Sequence, residues 1–188
     1  DEAIMSILTQ TWADFELLIV DDGSSDCTAS IIRQYTDPRI RIMTHERNQG
    51  LVASLNDGIR AARGIYIARQ DADDISLPIR LTEKVGILET HPDVVACGSG
   101  FQDIDTAGKR GAISVISSDI DMVATELYAR CPFAHGSVMI RTKTVRAVDG
   151  YRDSVGLAED YDLWVRLSVR GRLMNSQKIL YLYRIQPD

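Results

Sequence analysis

Tyr-Ile-Ala-Arg-Gln-Asp-Ala-Asp-Asp occupies residues 66–74 and joins a short strand pattern to a dense acidic cluster. The apolar residues favour a β-strand, which ends where three carboxylates fall within four positions. Like charges this close repel, so each carboxylate is harder to ionise unless a cation lies among them. A hard divalent cation that shares its charge with a substrate phosphate is a natural partner for such oxygens. The segment therefore predicts a metal and phosphate site at a strand end.

Strand and helix patterns alternate along the first hundred residues. Apolar runs predict strands at residues 15–20, 40–44, 66–70 and 94–97, and helical spacing predicts helices at 1–10, 27–35, 51–62 and 78–91. This order is typical of an α/β fold whose mostly parallel, Rossmann-like sheet is flanked by helices. The second half is less regular, with helical patterns at 120–128 and 159–170 and extended patterns at 137–141 and 179–185. No repeat or linker divides the chain, so we expect one domain over residues 1–188.

The composition indicates a globular protein and argues against nucleic acid as a partner. The 188 residues are 45% apolar, enough for a core, and the formal net charge is -6. Cys27, Cys97 and Cys131 lie far apart, which favours neither disulfides nor zinc, so a reducing, cytoplasmic compartment is expected. No apolar run approaches the roughly 20 residues that span a bilayer. Because the chain opens on a partial helix without an initiating methionine, we expect an excerpt of a longer protein.

A second acidic loop, Asp21-Asp22, follows the predicted strand at residues 15–20. If both strands belong to one parallel sheet, their carboxyl ends share an edge and the two loops converge on one ligand. The alternative is that these residues only form turns, for which Asp-Gly and Asp-Asp sequences are equally suited. For Asp21 and Asp22 alone the two interpretations are balanced, whereas the two loops together favour a binding site.

Three other residues have both a functional and a structural interpretation. Asp160 begins a predicted helix, where its carboxylate either complements the helix dipole or acts as a general base, and spacing alone favours the dipole. Arg69 either pairs with the neighbouring aspartates or meets a diphosphate, and the ion pair is the simpler interpretation. His135 lies in an irregular stretch, where a single histidine is more often a satisfied polar group than a ligand.

Eight segments of the chain stand in a recognisable order. They are Ser-Ile-Leu-Thr-Gln-Thr-Trp at 6–12, Leu-Ile-Val-Asp-Asp-Gly-Ser-Ser-Asp at 18–26, Asn-Gln-Gly at 48–50, Asn-Asp-Gly-Ile at 56–59, Ala-Arg-Gly at 62–64, Asp-Ala-Asp-Asp at 71–74, Glu-Asp-Tyr-Asp-Leu-Trp at 159–164 and Tyr-Arg-Ile at 183–185. In this order they resemble the family 2 glycosyltransferases, with residues 71–74 at the place of that family's Asp-x-Asp motif and residues 159–160 at its Glu-Asp motif. The resemblance covers nearly the whole chain.

The resemblance implies a GT-A fold and an inverting transfer of a hexosyl or N-acetylhexosaminyl group from a nucleotide diphosphate donor. Asp21 and Asp22 would contact the nucleoside, which is most often uridine in this family. Asp71 would lie near the ribose and the metal, and Asp73 would bind manganese or magnesium directly. Asp160 would be the catalytic base, so the resemblance favours function over the helix dipole at that residue.

The same resemblance sets expectations for organisation and partners. Residues 1–100 would form the nucleotide-binding half and residues 101–188 the acceptor-side half. The acceptor would be a glycan or a lipid-linked sugar of the cell envelope, which implies peripheral association with the inner face of the membrane. Asp74 is expected to be a structural residue at the turn after the motif.

The chain departs from the family pattern at three places. The family's first strand, which contributes nucleoside contacts, is absent before Asp1, so we expect an exposed strand edge and a less stable fragment. Leu55 stands where many members carry arginine. Gln186 stands where a histidine is common, and an amide supplies no titrating ring, so a metal or acceptor role there is in doubt.

Two other functions fit parts of the pattern. Haloacid-dehalogenase-like phosphotransferases also place Asp-x-Asp after a strand, and in that reaction Asp71 would be the nucleophile. Against this alternative, the threonine expected soon after the motif is missing. The second alternative is a non-catalytic domain that binds a nucleotide sugar and is inactive because it lacks the first strand.

Overall fold

The computed structural model describes residues 1–115, 117 and 119–186. The helices are α1 Glu2–Leu8, α2 Thr28–Ile32, α3 Leu51–Ala61, α4 Arg80–Thr90, α5 Ile120–Glu126, α6 Thr142–Ala147 and α7 Glu159–Ser168. The strands are β1 Leu17–Asp21, β2 Ile40–Thr44, β3 Tyr66–Ala68, β4 Ile75–Ser76, β5 Val94–Ile104, β6 Arg110–Ser114, β7 Met139–Arg141 and β8 Arg172–Arg184. Short 3-10 helices lie at His135–Ser137 and Asp153–Ala158. In this part of the chain no helix has the length and apolar character needed to cross a bilayer.

The predicted elements are present, and the larger differences concern strand length in the second half. β5 and β8 extend well beyond the predicted strands at residues 94–97 and 179–185. Gly98 and Gly100 interrupt the apolar pattern of β5, yet the strand continues because β8 packs closely along it. A Cβ added at Gly100 would come within 2.7 Å of Ile179 Cδ1. The short elements β4, β6 and α6 were not predicted, since their sequences carry no clear periodicity.

The α/β class is confirmed, but the expectation of a mostly parallel sheet is wrong. β1 and β2 form a separate parallel pair, while the larger sheet has the order β3-β7-β5-β8-β4 with β6 paired to β5. Only β5 and β8 run parallel in the larger sheet as described, and its other pairs are antiparallel. The reason is local: β6 returns along β5 through a short turn, and β7 enters between β3 and β5 in the opposite direction. Among the described strands none pairs with the second edge of β1 or β3.

The main core fixes helix α7 against the sheet. Leu163, Trp164 and Leu167 of this helix are fully buried. The Trp164 ring meets the edge of Phe133 at a centroid distance of 5.2 Å, an arrangement that adds about 0.5–1.5 kcal/mol to the burial of the two rings. Because Asp160 lies one helical turn before Trp164, this packing also sets the position of the predicted base.

Helix α4 places two basic side chains in the interior. Arg80 is fully buried and donates hydrogen bonds to the carbonyl oxygens of Arg69 and Gly136 and, at 2.7 Å, to Ser76 Oγ. Lys84 is fully buried as well, and its Nζ donates to the carbonyl oxygen of Cys97 at 3.0 Å. Burial disfavours the charged amine and lowers the pKa of Lys84 from 10.5 to about 7.

Replacing this buried amine is expected to stabilise the fold in a pH-dependent way. Between pH 7 and pH 10.5 the unfolded chain binds more protons than the folded chain, so the stability of the wild type rises with pH. Lys84→Met should therefore raise the free energy of unfolding by about 1–4 kcal/mol near pH 6, and the gain should fade towards pH 10. Urea denaturation at several pH values measures this, with Lys143→Met on the exposed side of α6 as the control. A loss of stability at every pH would contradict the expectation.

Candidate active site

A cleft of about 920 Å³ opens at the end of β3 and beside the start of α7. Its charged lining residues are Arg69, Asp71, Asp73, Asp74, Glu126, Arg130, Asp160 and Arg184. The structure thus brings Asp71, Asp73 and Asp160 into one cleft. Asp21 and Asp22 are not among the residues that line it, because β1 belongs to the separate two-stranded sheet.

The acidic cluster at residues 71–74 divides into three different environments. Asp71 Oδ2 forms an ion pair with the Arg69 guanidinium, which is the simpler of the two interpretations of Arg69. Asp74 is buried, and its Oδ1 accepts the Arg184 N–H at 2.7 Å. Asp73 is exposed, and its Oδ2 lies 3.3 Å from the Nε2 of Gln186. Asp73 is therefore the carboxylate of the cluster that is most open to a ligand.

Burial explains why Asp74 differs from its neighbours. Desolvation, with smaller contributions from the nearby charges of Asp71 and Asp73, raises the pKa of the Asp74 carboxyl to about 6, although the hydrogen bond from the Arg184 N–H acts in the opposite direction. A buried carboxyl that receives a backbone N–H is suited to holding the turn, as expected for a structural residue at this position.

Several side chains outside the motif hold the backbone of the acidic loop. Gln70 Nε2 donates to the carbonyl oxygens of Asp71 and Asp74, both at 2.9 Å. Arg184 Nε donates to the carbonyl oxygen of Asp73 at 2.7 Å. Tyr181 Oη accepts the Asp71 N–H at 3.1 Å. Sequence patterns did not identify Gln70 or Tyr181, and Arg184 was visible only within the Tyr-Arg-Ile segment.

Asp160 lies in the first turn of α7. It is far from the acidic loop in the sequence but lines the same cleft. Its Oδ1 accepts the Tyr161 N–H at 2.6 Å, and its Oδ2 lies 3.6 Å from Cys131 Sγ, a thiol donor. One carboxylate oxygen therefore accepts a short backbone hydrogen bond, the other has a long contact with a thiol, and the residue lines the cleft. This geometry suits a group that accepts a proton from a bound hydroxyl.

His135 lines the cleft but is committed to structural contacts. Its Nε2 lies 2.8 Å from Tyr151 Oη, and its ring meets Trp164 edge-on. Burial and the charge of Arg69 lower the pKa of His135 to about 3. The ring is therefore neutral at physiological pH, which agrees with the interpretation of a satisfied polar group.

Asp21 and Asp22 both make turn-stabilising hydrogen bonds. Asp21 is buried and its Oδ1 accepts the Ser24 N–H at 3.0 Å. Asp22 accepts the N–H groups of Gln49 and Gly50 at 2.9 and 2.8 Å, and Oδ1 meets His45 Nδ1 at 2.6 Å. These bonds, the His45 contact foremost, lower the pKa of Asp22 to about 2. Both aspartates thus hold backbone N–H groups of the loops that follow β1 and β2.

The donor set fits a divalent cation that is shared with a ligand. In the described part of the chain no group of three or more His, Cys, Asp or Glu side chains could hold a metal by itself. Magnesium and similar ions are commonly bound by one or two carboxylates together with substrate phosphates. Asp73 and Asp71, which line the same cleft, supply carboxylate oxygens of that kind.

Comparison with known proteins places the chain in a family. The model of glycosyl transferase family 2 matches residues 1–150. The chain belongs to this family. EpsE of Bacillus subtilis (strain 168), named as a glycosyltransferase, is 38% identical over 193 residues, which span 100% of this chain and 68% of EpsE. The expected family is confirmed.

Solved structures confirm the GT-A fold. TarS of S. aureus in complex with UDP-GlcNAc superposes with a TM-score of 0.80 at 19% identity, over 100% of this chain and 55% of the TarS chain. The mannosyltransferase PcManGT of Pyrobaculum calidifontis, in complex with GDP-Man and Mn2+, gives a TM-score of 0.73 at 19% identity, over 96% of this chain and 51% of that one. At these identities the likeness concerns the fold alone. The chain spans about half the length of these two structures.

Gly136 is expected to be essential for closing the wall of the cleft. A Cβ at this residue would meet Tyr181 Oη and would come within 2.5 Å of Asp71 Oδ2. Gly136→Ala should therefore displace the acidic loop and lower the free energy of unfolding by about 1–3 kcal/mol in urea denaturation.

Gly86→Ala is the matched control for this substitution. Gly86 is exposed on α4, and a Cβ there meets no atom within 4 Å. The control should raise stability by up to about 1 kcal/mol through helix propensity. Equal effects of the two variants would show that residue 136 has room for a methyl group.

Proposed function

We propose that the protein is a metal-dependent, inverting glycosyltransferase that moves a sugar from a nucleotide diphosphate donor to an acceptor hydroxyl. Membership of glycosyl transferase family 2 supports the reaction class. The observation that carries the proposal is the placement of Asp71, Asp73 and Asp160 around one cleft, although Asp73 and Asp160 are 87 positions apart in the sequence. One part of the cleft would hold the leaving diphosphate, and another would hold the base.

Asp73 and Asp71 would hold the metal, with Asp73 as the direct ligand. The open position of Asp73 and the ion pair of Asp71 with Arg69 support this division. When bound, manganese or magnesium would neutralise the negative charge of the departing diphosphate. The Mn2+ in the PcManGT complex supports a divalent cation in this fold. Arg69, which is nine-tenths buried and lines the same cleft, would hold the Asp71 side chain in place through their ion pair.

Asp160 would be the catalytic base. Its carboxylate would take the proton of the acceptor hydroxyl as that oxygen attacks the anomeric carbon from the side opposite the diphosphate. A single displacement of this kind inverts the anomeric centre. Neutral His135, which hydrogen-bonds Tyr151, would shape the wall of the cleft without taking part in proton transfer.

The donor would be a uridine diphosphate sugar carrying a hexosyl or N-acetylhexosaminyl group. The UDP-GlcNAc bound to TarS supports a nucleotide sugar in this fold, and the GDP-Man of PcManGT shows that another nucleobase occurs in it too. Asp21 and Asp22 would contact the nucleoside through the loop that they stabilise. The acceptor would be a glycan or lipid-linked sugar, handled at the inner face of the membrane by residues 101–188.

The two alternatives are less well supported. A haloacid-dehalogenase-like phosphotransferase would need Asp71 free to attack phosphorus, whereas Asp71 is paired with Arg69, and the family match points elsewhere. A non-catalytic sugar-nucleotide-binding domain would need no open carboxylate at the start of α7. Asp160 provides one, and this favours a catalytic domain.

Donor binding is expected to stabilise the full-length protein in a metal-dependent way. A ligand at 100 times its Kd adds about 2.7 kcal/mol to the free energy of unfolding, so UDP with manganese should raise the thermal midpoint clearly. Asp73→Asn should abolish the part of this shift that depends on manganese. Asp14→Asn, a substitution of an exposed aspartate outside the cleft, should leave it unchanged. No shift with any nucleoside diphosphate and metal would overturn the proposed function.

Asp160→Asn is expected to separate chemistry from binding. Loss of a general base should lower kcat for sugar transfer by about 10²–10⁴ while the Kd for UDP stays within a factor of about two. Asp149→Asn, at an exposed residue with φ 58° that asparagine tolerates, is the matched control. A large loss of UDP affinity in Asp160→Asn would instead assign that residue to donor binding.

A further inference from the structure

His45 links three elements beside the loop that carries Asp22. The residue follows β2, while Asp22 follows β1 and Asp57 lies in α3. His45 Nδ1 is 2.6 Å from Asp22 Oδ1, and Nε2 is 3.0 Å from Asp57 Oδ2, a charge contact rather than an aligned hydrogen bond. The histidine side chain is only 9% exposed. Because each ring nitrogen faces a carboxylate oxygen, both contacts are favourable only when both nitrogens carry protons.

The carboxylate that His45 holds also organises the start of α3. Asp22 accepts the N–H groups of Gln49 and Gly50, directly before the first residue of that helix. The two loops are in close contact, since a Cβ added at Gly23 would lie 2.7 Å from the carbonyl carbon of Arg47. A shift of Asp22 therefore moves the backbone at residues 47–50 with it.

We propose that His45 is a positioning residue for the nucleoside of the donor, and that its protonated ring holds Asp22 and the loop at residues 45–50 in the binding arrangement. This inference rests on the proposed function, because Asp22 is the proposed nucleoside contact. When the ring loses its proton, one of its nitrogens becomes an acceptor that faces a carboxylate oxygen. The ring can then donate to only one of the two carboxylates, the link between Asp22 and α3 weakens, the loop shifts and donor affinity falls.

The charges around the ring decide the direction of the pH dependence. The ring faces Asp22 from the loop after β1 and Asp57 from α3, and Asp57 also pairs with Arg60 of the same helix. The hydrogen bond to Asp22 raises the pKa of His45 above 6.5, burial opposes this, and Asp57 adds to the increase. The ring thus bridges both carboxylates at mildly acidic pH, and this bridge is lost as the pH rises through the folded pKa of His45.

The test is the Kd for UDP with manganese, measured by calorimetry on the full-length protein between pH 6 and pH 9. For the wild type we expect affinity to fall about five- to tenfold across this range, within the usual size of coupling between linked sites. His45→Gln should bind at pH 6 about as weakly as the wild type binds at pH 9. Any pH dependence left in this variant belongs to UDP or to other groups. His91→Gln is the matched histidine control and should follow the wild type.

Asp57→Asn separates positioning from a purely structural role. Asp57 has no place in the proposed donor site, so affinity at pH 6 should be retained, but the loss of one carboxylate should move the midpoint of the pH dependence downwards. An NMR titration of the His45 ring should show the same displacement. UDP binding that is equal at pH 6 and pH 9 in the wild type, or a midpoint that Asp57→Asn leaves in place, would overturn the inference and leave the proposed function intact. Absence of UDP binding at every pH would overturn both.

Discussion

The buried guanidinium of Arg80 is the interaction on which the cleft depends. It donates to two carbonyl oxygens, one at the end of β3 and one in the 3-10 helix at His135–Ser137, and so joins the two walls that flank the acidic loop. The central carbon of the guanidinium, Cζ, lies 5.2 Å from the centroid of the Tyr181 ring, and the hydroxyl of this tyrosine accepts the Asp71 N–H. A planar donor group with several fixed N–H directions can satisfy this set of acceptors, which a lysine amine could not.

The repulsion among the three carboxylates of the acidic motif is reduced because each lies in a different environment. Arg69 compensates Asp71, burial holds back the ionisation of Asp74, and Asp73 faces the solvent of the cleft. Three carboxylates within four residues would otherwise repel one another strongly. The arrangement leaves one carboxylate ready for an outside cation without the cost of three unpaired charges.

Much of the fold and the candidate site follows from local sequence, and what does not follow depends on distant contacts. The strand that ends at Asp71, the helix that starts at Glu159 and the family resemblance could all be identified from residue order. Strand direction could not, because the parallel pairing of β5 with β8 arises between segments about eighty residues apart. The same holds for the contacts of Arg80 with Arg69, of His45 with Asp22 and of Tyr181 with Asp71, which join residues 11, 23 and 110 positions apart in the sequence. Residue type alone does not distinguish a buried arginine that organises a site from one on the surface.

Helix α7 is followed by strand β8 after a short turn. Asp160 lies near the beginning of the helix and Arg184 is the last residue of the strand. Gly171 joins the two elements, and a Cβ there would lie 2.7 Å from the carbonyl oxygen of Asp93, so the joint has little room to bend. The Asp160 carboxylate and the arginine that holds the acidic loop therefore keep a fixed separation. Residues 105–115, by contrast, come after the stretch of β5 that pairs with β8, and they are largely exposed. Segments of different length could be exchanged there to vary what reaches the cleft, while the spacing between Asp160 and the acidic loop stays the same.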